Sequence, residues 1–194
     1  ASRECGDEWG LALSYSNQGE LERESGRPRA ALRLFERAQH LMNRVGSRDD
    51  LPELFRRRAE AHLDLGDVDE AAHLVNQAMG LAKEFSNPLE EWNCCRVQSQ
   101  IAVANGALDE AMERASLAAD GFKSIGAIFE EAIAIRHQAE VERLLGLRDD
   151  SARSAKRALE MFSDLSARRE VRRAREVLSA LDDSTAVARS VRAM

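Results

Sequence analysis

Between residues 71 and 85 the apolar positions are Ala71, Leu74, Val75, Ala78, Leu81, Ala82 and Phe85. Steps of three, one and four residues follow the 3.6-residue period of a single helix face. Asp67, Asp69 and Glu70 stand just before this run, where the helix dipole favours anions. Gly66 precedes them as a turn, and Ser86 follows at a position suited to a left-handed helix end. The same phrase recurs. Asp109 and Glu110 open a matching helix after Gly106, and Asp149 and Asp150 open another after Gly146.

Aligned on that turn, Gly26, Gly66, Gly106 and Gly146 are spaced by 40 residues with no insertion or deletion. Five residues on stand Ala31, Ala71, Ala111 and Ser151; twelve on stand Ala38, Ala78, Ala118 and Ala158. Seven residues before the glycine are Gly19, Ala59, Ser99 and Ala139, all small, and four before those are Tyr15, Phe55, Cys95 and Ile135, all able to fill a core. Each unit ends in a small residue: Gly46, Ser86, Gly126, Ser166. A period of this length marks a repeat protein. Every unit reads as two helices, A before the glycine and B after it, each roughly 27 Å long. In the second unit Asp49 or Asp50 is placed to cap helix A, with Pro52 tolerated in its first turn.

One helical hairpin cannot bury both its faces, so the units must stack. The expected fold is all-α, an α-solenoid: a superhelical stack of four antiparallel helix pairs (7–46, 47–86, 87–126, 127–166). A capping helix over 167–181 would lay Val171, Ala174, Val177, Leu178 and Leu181 on the last pair. Residues 182–194 are weakly patterned, a short helix, a frayed end or a truncated linker. The start without Met and the abrupt end suggest a piece excised from something longer.

These columns resemble the tetratricopeptide repeat. That pattern sets an aromatic in helix A, a small residue four on and a glycine at the turn, then Ala, a large apolar residue and Ala in helix B. It maps onto Phe55, Ala59, Gly66, Ala71, Val75 and Ala78, and onto Tyr15, Gly19, Gly26, Ala31, Phe35 and Ala38. The later units are looser, with Ala115 and Ala155 in the large apolar column. The unit is longer than the usual 34 residues, the helix-B proline is absent, and Gln18, Arg58, Gln98 and Gln138 occupy a column where the family prefers Leu. The long-repeat variety is similar to arrays in bacterial signalling and transcription regulators.

The resemblance implies a concave groove lined by helix A. Its residues would be Leu13, Ser16, Glu20 and Arg23; then Glu53, Arg56, Glu60 and Leu63; then Asn93, Arg96, Gln100 and Val103; then Ile133, Arg136, Glu140 and Arg143. Arg56, Arg96 and Arg136 would form a ladder, one rung per repeat, whose guanidiniums grip carboxylates or carbonyls of an extended peptide. The strongest candidates for partner contact are therefore Glu53, Arg56, Glu60, Asn93, Arg96, Gln100, Arg136, Glu140 and Arg143. The competing reading is an Arg–Glu lattice, with Arg56–Glu60 and Arg136–Glu140 at i,i+4 plus cross-repeat pairs. Arg before Glu is the weaker order of such a pair and stabilises little.

Composition sharpens this picture in four places. Aromatics are only 5% of the chain and prolines number three, as expected of a helix-rich protein. The net charge of −6 supplies no global basic field for nucleic acid or anionic lipid. Arg168, Arg169, Arg172, Arg173 and Arg175 are a local exception, but Glu170 and Glu176 alternate with them, so they read as a solvated cap face. Cys5, Cys94 and Cys95 make neither a disulfide framework nor a spaced metal set, and read as small core residues in a reducing cytoplasm.

His40, His62, His73 and His137 show no metal or triad spacing and read as surface or interhelix residues. No apolar run is long enough to span a membrane, and no motif supplies a nucleophile, base, nucleotide loop, metal or cofactor site. The expectation is a non-catalytic scaffold for a protein or peptide ligand, cytoplasmic, with no cofactor. The alternative is a ligand-sensing regulatory module of a larger bacterial signalling or transcription regulator. An open solenoid end or the glutamine column also offers a surface for pairing two chains.

Overall fold

A computed structural model describes residues 2–192, with side chains described for residues 8–181. Among these residues nine helices and no strand occur. They are α1 (Ser2–Glu24), α2 (Pro28–Val45), α3 (Leu51–Leu65), α4 (Val68–Glu84), α5 (Pro88–Ala104), α6 (Leu108–Ser124), α7 (Ile128–Leu144), α8 (Arg148–Asp164) and α9 (Arg168–Arg192). The odd-numbered helices up to α7 are the A helices of the repeat and the even-numbered ones the B helices. The cap and part of the weakly patterned tail form one continuous helix, α9, whose side chains beyond Leu181 lie outside the described residues.

Short turns end each helix in the manner the repeat required. Gly66 (φ 81°) is left-handed; its own amide donates to the Leu63 carbonyl and the Asp67 amide to the His62 carbonyl. At the far end of the unit Ser86 (φ 52°) adopts the same region with a side chain, as does Ser166 (φ 56°). Asp50 occupies the N-cap of α3, but the capping contact expected of it is absent. Its backbone is already near-helical, and its carboxylate accepts instead from Ser47 Oγ at 2.5 Å and Trp9 Nε1 at 2.8 Å. Asn87 is the side chain that caps conventionally, accepting from the Glu90 amide at 3.2 Å.

The chain divides into two compact units, Ala1–Asn105 and Gly106–Met194. In the first, α1/α2 and α3/α4 are antiparallel hairpins; α2 packs on α3, α4 on α5, and the A helices α1, α3 and α5 meet along one side. Its core runs through Ala12, Phe35, Ala38, Met42 and Leu54 into Ala59, Val75, Ala78, Cys94 and Val97. In the second, α6 packs on α7, α7/α8 is a hairpin, and α9 lies on both α7 and α8. Phe162 is fully buried there and meets Phe129 edge to face at 6.0 Å. Arg148 also donates to the Leu181 carbonyl, tying α8 to α9.

The small columns set how closely A and B helices approach. A Cβ on Gly19 would lie 2.5 Å from the Phe35 ring, so glycine is required where helix B carries phenylalanine. In the next pair Ala59 faces the smaller Val75 in one cluster, and in the second unit Ala139 faces Ala155. As the B-helix residue shrinks, the A-helix residue is free to carry a methyl group. Close packing is kept by trading volume across the crossing.

Candidate functional site

Residues expected to contact a partner lie on A helices in both units. In the first unit, α3 carries Glu53, Arg56 and Glu60 on one stripe at i,i+3,i+7 spacing, facing α1 on one side and α5 on the other. Arg56 is buried. Its Nε donates to Glu90 Oε2 at 2.8 Å and its Nη1 to Glu60 Oε2 at 2.9 Å. Arg96 Nη2 donates to the other Glu60 oxygen at 2.7 Å, and Asn93 Nδ2 to Glu90 Oε1 at 3.2 Å. From α1, Arg23 lies 3.8 Å from Glu60 and donates to Glu20 and Asp64. The result is one continuous lattice of three guanidiniums and their carboxylates across α1, α3 and α5.

Burial alone would push the Glu60 carboxyl up. The guanidiniums of Arg96, Arg56 and Arg23 override it and hold the carboxyl well below the usual carboxylate range. Burial likewise opposes the charge on Arg56, but Glu90 and Glu60 raise its pKa well above the ordinary arginine value. The Cys94 thiol, buried and beside Glu90, is pushed up to about 12, which makes it a poor nucleophile. Cys5 lies outside the described side chains.

These contacts are those of the Arg–Glu lattice: the i,i+4 pairs Arg56–Glu60 and Arg136–Glu140 both form, and in the first unit pairs between repeats join them. The decisive partners lie on neighbouring helices: Glu90 for Arg56, Glu60 for Arg96. Glu90 is not among the candidates, because it lies in the first turn of α5, ahead of the groove positions that the resemblance supplied. The signal that could have found it is a carboxylate in the first turn of the next A helix, 34 residues beyond Arg56. At the edge of the lattice Glu53 is more exposed, pairing with Arg57 at 2.5 Å, and Gln100 is half-buried.

In the second unit the arrangement is more open. Arg136 donates to Glu140 at 2.5 Å and its Nε stands 3.5 Å from Glu170 on α9, with both of those atoms buried and short of hydrogen-bond geometry. Glu170 also accepts from Arg173 at 2.9 Å. Burial pushes the Glu140 carboxyl up, but a hydrogen bond from His137 and the charge of Arg136 bring it below its ordinary value. Arg136, Glu140 and Arg143 line a cavity of about 370 Å³ between α7 and α9, closed on the other side by Arg173, Glu176 and Val177. Arg143 is exposed at its edge. Of the cap arginines, Arg168, Arg172 and Arg175 are exposed and Arg173 is half-buried against Glu170. His137 is buried, His62 half-buried, and His40 and His73 are exposed. Among the described residues no group of three His, Cys, Asp or Glu side chains could hold a metal ion, and no helix is long and apolar enough to cross a membrane.

The family model for the tetratricopeptide repeat matches residues 10–84, the stretch from α1 to α4. Residues 10–84 carry the sequence pattern of the tetratricopeptide repeat. No curated protein matches it in sequence. Among solved structures, a Rap protein complexed with competence and sporulation factor is similar over 94% of this chain and 52% of its own length, at 13% identity and a TM-score of 0.81. A signal-transduction ATPase of the STAND class with a tetratricopeptide repeat sensor, from Pyrococcus horikoshii, is similar over 86% of this chain and 26% of its own, at 15% identity and a TM-score of 0.64. A kinesin light chain-like protein with nearly identical tetratricopeptide-like repeats, from Podosopora anserina, is similar over 96% of this chain and 95% of its own, at 14% identity and a TM-score of 0.59. The chain thus spans about half the length of the Rap protein it resembles. At these identities the likeness is one of fold: tetratricopeptide helix pairs of the α-solenoid class.

Proposed function

We propose that this tetratricopeptide repeat chain is a non-catalytic scaffold that binds a protein or peptide on its A-helix faces. The observation that carries the reading is the α7/α9 cavity of about 370 Å³, where Arg143 stands exposed beside Arg136, Glu140 and Arg173. An exposed guanidinium at the rim of a polar cavity suits a carboxylate, from an acidic side chain or a peptide C-terminus, in a bidentate contact. The likeness in fold to a Rap protein crystallised with competence and sporulation factor supports the same reading.

Within this proposal the residues divide by role. Arg56, Glu60, Asn93 and Arg96 are buried and engaged with one another or with Glu90, so they hold the A helices in place. Glu53, Gln100, Glu140 and Arg143 retain exposure and are the direct contacts, with Arg136 fixing Glu140. The test is a peptide array followed by fluorescence anisotropy on the best binder. Arg143→Glu should weaken that peptide by about tenfold or more, the worth of one charge-assisted contact. Its melting temperature should match the parent. A best binder indifferent to Arg143→Glu removes the α7/α9 site from the reading.

A further inference from the structure

We propose that the second unit carries a separate site for a small phosphate monoester, in a cleft walled by α6, α7 and α8 and distinct from the α7/α9 cavity. The cleft measures about 370 Å³. Three cations surround it: Lys123 from α6, and Arg153 and Arg157 from α8. Each arginine is steadied by a carboxylate that leaves other donors of its fork available. Arg157 donates to the buried Glu131 at 2.7 Å, and Arg153 donates to Asp150. Ser116 and Ser154 add two half-buried hydroxyls, while Ile135 and Ala119 contribute apolar surface.

The repeat shows that this opening is particular to its sequence. At the equivalent positions of the first unit, Phe55 stands for Ile135, Arg58 for Gln138 and Leu74 for Ser154. There Arg58 lies over the Phe55 ring at 6.0 Å and donates to Gln39 at 2.5 Å, while Leu74 is core. The first unit thus carries a larger side chain at each of these three positions. Moreover, His73 and Gln77 stand in the first unit where Arg153 and Arg157 stand in the second.

Lysine, two guanidiniums and two hydroxyls offer more donors than a carboxylate can accept, but match the three terminal oxygens of a phosphate monoester. Asp120 lies in the lining as well. It disfavours a bare anion and favours a ligand whose organic part carries a hydroxyl to donate to it. The cleft therefore fits a phosphorylated polyol better than inorganic phosphate.

The test is calorimetric titration with glycerol phosphate at fixed ionic strength, with lactate and glycerol as comparison ligands. Saturable binding of glycerol phosphate below about 10 mM is expected, with lactate at least about tenfold weaker. Ser154→Leu, which installs the first unit's residue and removes no charge, should abolish binding while the melting temperature holds. If that variant fails to fold, Gln138→Arg fills the cleft from the other wall. Lys123→Glu should weaken binding about tenfold or more, whereas Lys83→Glu, one repeat earlier and outside the cleft, should leave it unchanged. No saturation, equal binding by Ser154→Leu or Gln138→Arg, or equal loss in Lys83→Glu would overturn the site.

Discussion

At the scale of single residues, the crossing of Gly19 and Phe35 makes a sharp prediction. Gly19→Ala places a methyl group in the Phe35 ring and should destabilise by about 1–3 kcal/mol, the range for overpacking. Phe35→Val alone leaves a cavity and should cost a comparable amount. The double variant reproduces the Ala59–Val75 pair of the next repeat, so it should lose much less than the sum; thermal or urea unfolding of all four proteins closes the cycle. Ser86 makes the opposite prediction. It holds a left-handed conformation (φ 52°) that glycine adopts without steric cost, so Ser86→Gly should raise stability by about 0.5–1 kcal/mol. A lower melting temperature would mean that the Ser86 side chain contributes more than its backbone strain costs.

At the scale of elements, the lattice across α1, α3 and α5 governs the response to acid. The folded pKa of Glu60 lies below its unfolded value, so its stabilisation is present above the unfolded carboxylate range. It is lost progressively as pH falls below about 5 toward the folded pKa. Glu60→Gln should cost about 3–5 kcal/mol at neutral pH, because Arg56 and Arg96 remain buried with a weaker partner. It should also flatten the decline between about pH 5 and pH 2, and urea melts across that window measure both effects. These helices were legible in the sequence. The 3.6-residue period, the acidic first turns and the four turn glycines placed them within a few residues, since those signals are local. The loss of Asp50's capping contact was not legible, because Trp9 and Ser47 compete for its carboxylate and only tertiary structure brings Trp9 there.

At the scale of the whole molecule, the proposed binding role divides one predicted residue set into buried, ion-paired members and members that retain exposure. Arg56→Ala should lose partner binding and melting temperature together, whereas Arg143→Ala should lose binding alone. Parallel anisotropy and thermal unfolding would separate them; a variant of Arg56 that binds less while melting normally would return it to the contact surface. Sequence periodicity put all nine candidate residues on A helices. It could not rank them, because the exposure of an A-helix position depends on the carboxylate a neighbouring repeat supplies. The lattice also bears on how a chain of look-alike repeats finds its proper order. The guanidiniums are matched to carboxylates of the adjoining repeat: Arg23 to Glu60 and Asp64, Arg56 to Glu90, and Arg96 back to Glu60. Were α1 to settle beside α5, skipping a repeat during folding, Arg23 would meet Gln100 and Ala104 at the same offsets and find no counter-charge. The charges thus serve as a sequence-numbered key, penalising misassembled arrays that the shared apolar columns would tolerate.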